Sequence, residues 1–266
     1  MVMSGGLGEP VRSTGPLLEV STQLGDWDGR WILGLYPDAA EASGSFRYTG
    51  SMPTKRGRRG EAADPERSRQ VSIRRSKGRI RRYVTANRLN RLGTLTYAEA
   101  CIDPAKARRD VGEFFRELRG SVGQSFPYLW VPEWHPGGHG LHLHFAVGRY
   151  IHRSLIDNSW GRGFIHIKLL GEVPMGGGGV HEARTAAHYL GKYVAKGIEA
   201  SHDFGRHRFD VAQGFAPKVT RLAGRSMGDL VRRASDRMGG VPSFVWRSRD
   251  EREWFGPPSF WMAWDR

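Results

Sequence analysis

The spacing of apolar positions changes several times along the chain, and each change marks an element. "LGTLTY" (92–97) is short, apolar and β-branched, which predicts a strand. In "DPAKARRDVGEFFRELRGSV" the spacing becomes helical. Val111, Phe114, Phe115 and Leu118 share one face, Asp103 suits the cap and Pro104 the first turn. "FPYLWVPEW" and "LHLHFAVG" return to strand spacing on either side of "HPGGHG". "SLIDNSW" predicts a short helix, "GFIHIKLL" a strand and "EVPMGGGGV" a flexible loop. "HEARTAAHYLGKYVAKGIE" predicts a second long helix. This order of elements predicts an α+β core, an antiparallel sheet with helices on one face.

The flanks read differently. Residues 1–66 have few apolar positions and predict a loose N-terminal extension and basic linker, in which "WILGLYP" docks on the body. Residues 67–91 predict a strongly basic helical segment, and 92–210 the core, with "GRHRFDVAQGF" returning to it. Residues 211–266 predict a C-terminal extension. It holds a basic helix, "GDLVRRASDRM", and two strands, "SFVWRS" and "PSFWMAW". Trp246, Trp254, Trp261 and Trp264 read as packing residues rather than base-stacking platforms.

Composition narrows the class. A single cysteine, Cys101, excludes a disulfide framework and a cysteine zinc site. No apolar run is long enough to span a membrane and the N-terminus lacks signal-peptide order, so the expected location is cytoplasmic. The net charge of +14 favours a polyanionic partner, most simply nucleic acid. Most of the surplus lies in residues 54–91, where Arg74, Arg75, Arg81 and Arg82 are candidates for DNA phosphate contacts. No G-x-x-x-x-G-K-[ST] nucleotide loop is present.

The chemistry concentrates in two stretches. On a strand, His142 and His144 face the same side. A six-residue turn at 135–140 pairs Trp134 with Leu141 and Glu133 with His142. Glu133, His142 and His144 then converge, a donor set suited to Mg²⁺ or Mn²⁺. His166 is a lesser candidate for the same face, and His135 and His139 belong to the turn. In "YLGKYVAK", Tyr189 and Tyr193 lie one helical turn apart, with Lys192 and Lys196 beside them. Phenols are poor nucleophiles at neutral pH. A polarised phosphate and a nearby ammonium make their attack feasible.

The ordered set "TLT" (Thr94–Thr96), "HLH" (His142–His144) and "YLGKYVAK" (Tyr189–Lys196) resembles the HUH endonucleases, specifically the two-tyrosine rolling-circle replication initiators of phages and plasmids. The resemblance covers roughly residues 90–200. It implies a ferredoxin- or RRM-like sheet that holds the metal, with the tyrosine helix packed near it. It implies an enzyme that nicks one strand of a replication origin and attaches to the 5′ phosphate through a tyrosine. Tyr189, Tyr193, Lys192 and Lys196 would be catalytic, with Glu133 as the third metal ligand. Single-stranded origin DNA and a host helicase are the implied partners. A transposase or mobilisation relaxase would use the same chemistry. A non-catalytic nucleic-acid-binding module is the alternative from another class, and it has no need of the Tyr, His and Glu sets.

Overall fold

The computed structural model describes residues 28–50, 62, 64–135, 137, 140–169, 179–199, 208–252, 254 and 256–265. Most of the predicted N-terminal extension and linker, the glycine loop at 171–178 and His139 lie outside the described residues. The elements in chain order are β1 (Gly29–Tyr36), β2 (Glu41–Tyr48), α1 (Pro65–Ala86), β3 (Arg91–Tyr97), α2 (Pro104–Val122), β4 (Tyr128–Trp134), β5 (Leu141–Val147), α3 (Arg153–Trp160), β6 (Gly163–Leu169), α4 (Val180–Glu199), β7 (Asp210–Val211), β8 (Thr220–Gly224), α5 (Met227–Met238), β9 (Phe244–Arg247) and β10 (Ser259–Ala263). The class is α+β, with two five-stranded sheets.

The chain forms two compact units. The larger comprises residues 36–41, 53–220 and 265–266. Its sheet runs β6-β3-β5-β4-β7, and its strand pairs are all antiparallel. Period-two alternation gives this sheet two distinct faces. Leu95, Trp130, Leu143 and Phe145 point to one face, under Val111, Phe114, Phe115 and Leu118 of α2 and Ile156 and Trp160 of α3. Leu92, Leu129, Val131 and Ala146 point to the other, under Ile80 and Val84 of α1 and Ala183, Ala186, Ala187 and Leu190 of α4. Helices were expected on one face only, but the second face is apolar at this end and needs cover as well. Small residues on α4 let it pack closely against α1 while both rest on the sheet.

Local signals set the ends of the elements. Asp103 Oδ1 accepts the backbone N–H of Ala105, with Pro104 in the first turn of α2. Asp64 caps α1 in the same way through Arg67 N–H. Gly140, at φ +80°, ends the β4–β5 turn, where its carbonyl accepts His135 N–H at 2.9 Å. β7 pairs only with Leu129 and Trp130, so Pro132, which has no N–H to donate, lies beyond the reach of that ladder. The expected return of "HRFDVAQGF" to the core is this strand, with Phe209, Val211 and Phe215 packed on the α1–α4 side.

The smaller unit comprises 1–35, 42–52 and 221–264, of which residues 28–35, 42–50 and nearly all of 221–264 are described. Its sheet runs β8-β1-β2-β10-β9. "GRWILGLY" and "EASGSFRY" are thus strands rather than loose extension. Each exposes one side and buries the other, a half-buried alternation that small residues obscure in the sequence. β8 was not anticipated. Trp31 sits edge-on to Phe46 and Phe260, each with centroids 5.5 Å away, and Leu230, Ala234 and Met238 of α5 are buried. Trp264 is buried, as its packing role required, whereas Trp246, Trp254 and Trp261 are only half-buried.

Gly93, in the strand next to β5, has no room for a side chain. A Cβ there would lie 2.2 Å from Cζ of Phe145, itself buried. Gly93→Ala should cost about 1–3 kcal/mol of unfolding free energy by overpacking. Adding Phe145→Leu should recover part of the loss, as read from denaturant midpoints.

Candidate active site

The α1–α4 face of the larger sheet is apolar at one end and polar at the other. Register places Phe164, Thr96, His142 and Glu133 in one row across β6-β3-β5-β4, and His166, Thr94, His144 and Val131 in the next. The expected pairs, Trp134 with Leu141 and Glu133 with His142, are present. Along α4, the buried stripe Ala183, Ala186, Ala187 and Leu190 carries Tyr189 and Tyr193 beside it, at the polar end of the face.

These groups meet closely. His144 Nε2 and Glu133 Oε2 are 2.7 Å apart, and Thr94 Oγ1 lies 3.0 Å from His144 Nδ1. An ionised carboxylate only accepts, so Nε2–H donates to Glu133. In a neutral ring, Nδ1 then accepts the Thr94 hydroxyl proton. That hydroxyl can also accept from Nδ1–H, so Thr94 orients the ring in either tautomer. The Tyr193 ring stacks on His144 at 3.8 Å and 14°, and Tyr193 O–H donates to the Tyr189 oxygen at 2.5 Å. Lys196 Nζ donates to Glu133 Oε1 at 3.2 Å and lies 5.5 Å from the Tyr193 ring centre. Lys192 is exposed on the same helix, and Lys196 makes the contacts with the cluster.

His142 shares the face, but its ring packs against His135 at 4.7 Å. Among the described residues, no three His, Cys, Asp or Glu side chains gather closely enough to hold a metal ion. The donor chemistry of Glu133, His142 and His144 suits a hard divalent ion, and all three stand on adjacent paired strands. Ligation would exchange the direct His144–Glu133 hydrogen bond for bonds to the ion and turn His142 away from His135. His166 is exposed, beyond Thr94 on the edge strand.

Two groups are electrostatically displaced. Burial by itself would raise the Glu133 carboxyl. The hydrogen bond and charge of His144, and then Lys196, outweigh it and hold the pKa below its ordinary 4.5. Burial, then the hydrogen bond and proximity of Tyr189, and finally the Glu133 charge raise the Tyr193 phenol.

The four arginines predicted for phosphate contact divide into two pairs. Arg74 and Arg75 are exposed on α1. Arg81 instead grips Glu41, with Nε at 2.6 Å and Nη2 at 3.2 Å, and Arg82 Nη1 lies 3.8 Å from the same carboxylate and over the Tyr36 ring. Glu41 is fully buried, so its charge needs both partners. It went unread in the sequence; the available sign was a lone carboxylate opening an otherwise small and apolar strand.

A sequence profile of a replication-associated protein family, the ORF2 type, matches residues 90–198. The matched segment runs from just before β3 nearly to the end of α4, and so contains every member of the cluster. It supports a replication-associated role. No curated protein and no solved structure matches the chain significantly. No described helix is long and apolar enough to cross a membrane.

The depressed pKa of Glu133 has a testable sign. Its stabilising contribution is complete above the unfolded value and is lost as pH falls through the folded one. Melting temperatures followed from about pH 6 to about pH 3 should fall more steeply for the wild type than for Glu133→Gln.

Proposed function

We propose that the chain is a replication initiator that nicks one DNA strand and holds its 5′ end on a tyrosine. One observation carries the reading: the two hydrogen-bonded phenols of α4 rest on His144, which Glu133 and Thr94 hold in place. Neither packing nor plain nucleic-acid binding calls for this set of polar groups on a sheet face.

In the proposed reaction, a tyrosine oxygen bonds to the phosphorus as the bond from phosphorus to the 3′ oxygen breaks. The phenol gives up its proton and the departing 3′ oxygen gains one. The phosphotyrosine ester can be attacked by a 3′ hydroxyl in the reverse sense, which rejoins strands. Tyr189 is the better first nucleophile. The Tyr193 hydroxyl donates to its oxygen, a bond that stabilises a phenolate there, while Tyr193 itself is harder to ionise. Glu133, His142 and His144 would hold Mg²⁺ or Mn²⁺, which when bound would polarise the phosphate. Lys196, held by Glu133, places an ammonium beside the phenols; Lys192 is exposed on the neighbouring side and adds positive charge toward the strand.

The test is covalent capture on single-stranded DNA carrying the replicon's own origin. Wild type should form an adduct, with the DNA-linked peptide mapping to Tyr189 in the first step. Tyr189→Phe and Tyr193→Phe should each lose either initiation or the second transfer, and the double variant should form no adduct. These changes keep the rings and their packing. An adduct on Tyr83 or Tyr97, or one that persists in the double variant, would defeat the mechanism. Lys196→Met should slow adduct formation more than Lys192→Met, since Lys196 also positions Glu133.

Binding along α1 should separate by residue. Replacing Arg74 and Arg75 should flatten the slope of log affinity against log salt by about 0.9 per lost duplex contact. Arg81→Met should leave the slope nearly unchanged and lower the melting temperature, because it strips a buried carboxylate of its partner.

A further inference from the structure

The smaller unit, outside the segment matched by the family profile, contains a cleft of about 350 Å³. That is near the lower end of the usual range for small-molecule sites, about 300–1,000 Å³. Its polar lining is cationic. Arg247, Arg249 and Arg252 contribute three guanidinium groups, against one carboxylate, Glu251, which already accepts Trp246 Nε1–H at 2.7 Å. Arg249 lies 3.7 Å from Asp250, and Arg252 is exposed. Arg247 Nε is buried without a hydrogen-bond partner. A buried donor left in this way is costly, and an anionic oxygen entering the cleft would satisfy it.

The remaining wall is aromatic and apolar, with Trp31, Met227 and Trp254. Trp254 is held in place before any ligand arrives. Its Nε1–H donates to the Pro257 carbonyl at 2.9 Å, and Gly256 packs so closely that a Cβ there would lie 2.9 Å from the indole. Trp246 meets it edge-on at 5.2 Å. A fixed indole presents a face for a planar ring, and base stacking on aromatic side chains is tolerant of sequence. Guanidinium forks match phosphate oxygens.

We propose that this cleft binds a nucleoside phosphate, with the phosphate on Arg247 and Arg252 and the base against Trp254. The same chemistry is offered by a free nucleotide and by the 5′-phosphorylated end of a single strand. The inference stands apart from the tyrosine mechanism, because nothing in it depends on strand cleavage.

Calorimetric titration of the full chain tests it with three probes: inorganic phosphate, a deoxynucleoside 5′-monophosphate and a 5′-phosphorylated trinucleotide. The monophosphate should bind more tightly than inorganic phosphate. Arg247→Gln with Arg252→Gln should weaken it by about tenfold or more. Trp254→Phe should keep most of the affinity and Trp254→Ala should lose it. Equal affinity for the monophosphate and the trinucleotide identifies a free nucleotide as sufficient. Tighter binding of the trinucleotide, abolished by the arginine pair, identifies a strand end. Equal binding of every probe to wild type and the double variant overturns the site. No advantage of the monophosphate over inorganic phosphate overturns the nucleoside part. Arg247→Gln removes an unpartnered donor, so its melting temperature without ligand should be no lower than that of wild type. If the double variant is unfolded, Arg252→Gln, at an exposed position, gives the same reading alone.

Discussion

The pairing of β4 with β5 governs the larger unit, because one register decides two things at once. With Trp134 opposite Leu141, the apolar residues of β5 at 141, 143, 145 and 147 all enter the core under α2 and α3. The same register puts His142 and His144 on the opposite face with Glu133. A slip of one residue would bury two imidazoles in the aromatic core and expose Phe145 and Leu143. The energy that secures the core therefore also secures the polar cluster, and the cluster needs no separate device to hold its register.

Most of this was legible in the sequence. Strict alternation in "LHLHFAV" and the six-residue turn were enough to place Glu133 across from His142, and helical spacing was enough to put the two tyrosines on one face. Pattern alone does not reach the stacking of Tyr193 on His144 or the contact of Lys196 with Glu133. Both depend on where α4 crosses the sheet, a tertiary quantity. The rotamer of His142, turned to His135, is equally beyond pattern reasoning.

The misreadings have a shared cause: residues whose partners are distant in the chain. Arg81 and Arg82 looked like members of a uniform basic face because Glu41 lies some forty residues upstream, in a segment read as loose. β1 and β2 looked loose because Gly, Ser and Ala occupy many of their positions, and they gain their sheet from strands near the other end of the chain. The expectation of helices on one face failed because Leu92, Leu129, Val131 and Ala146 are spread over three strands and form a patch only once those strands pair.

The position of α4 is itself borrowed. Its buried stripe is mostly alanine, which fixes a short distance to its neighbours but grips weakly in any one direction; Ile80 and Val84 of α1 supply the bulk against which it seats. The placement of the phenols over His144 is thus partly encoded in a helix that contributes no group to the cluster. A survey of variants scored only by activity would mark Ile80 and Val84 beside the tyrosines. The two kinds of residue would separate only when the distance between the helices was measured as well as the reaction.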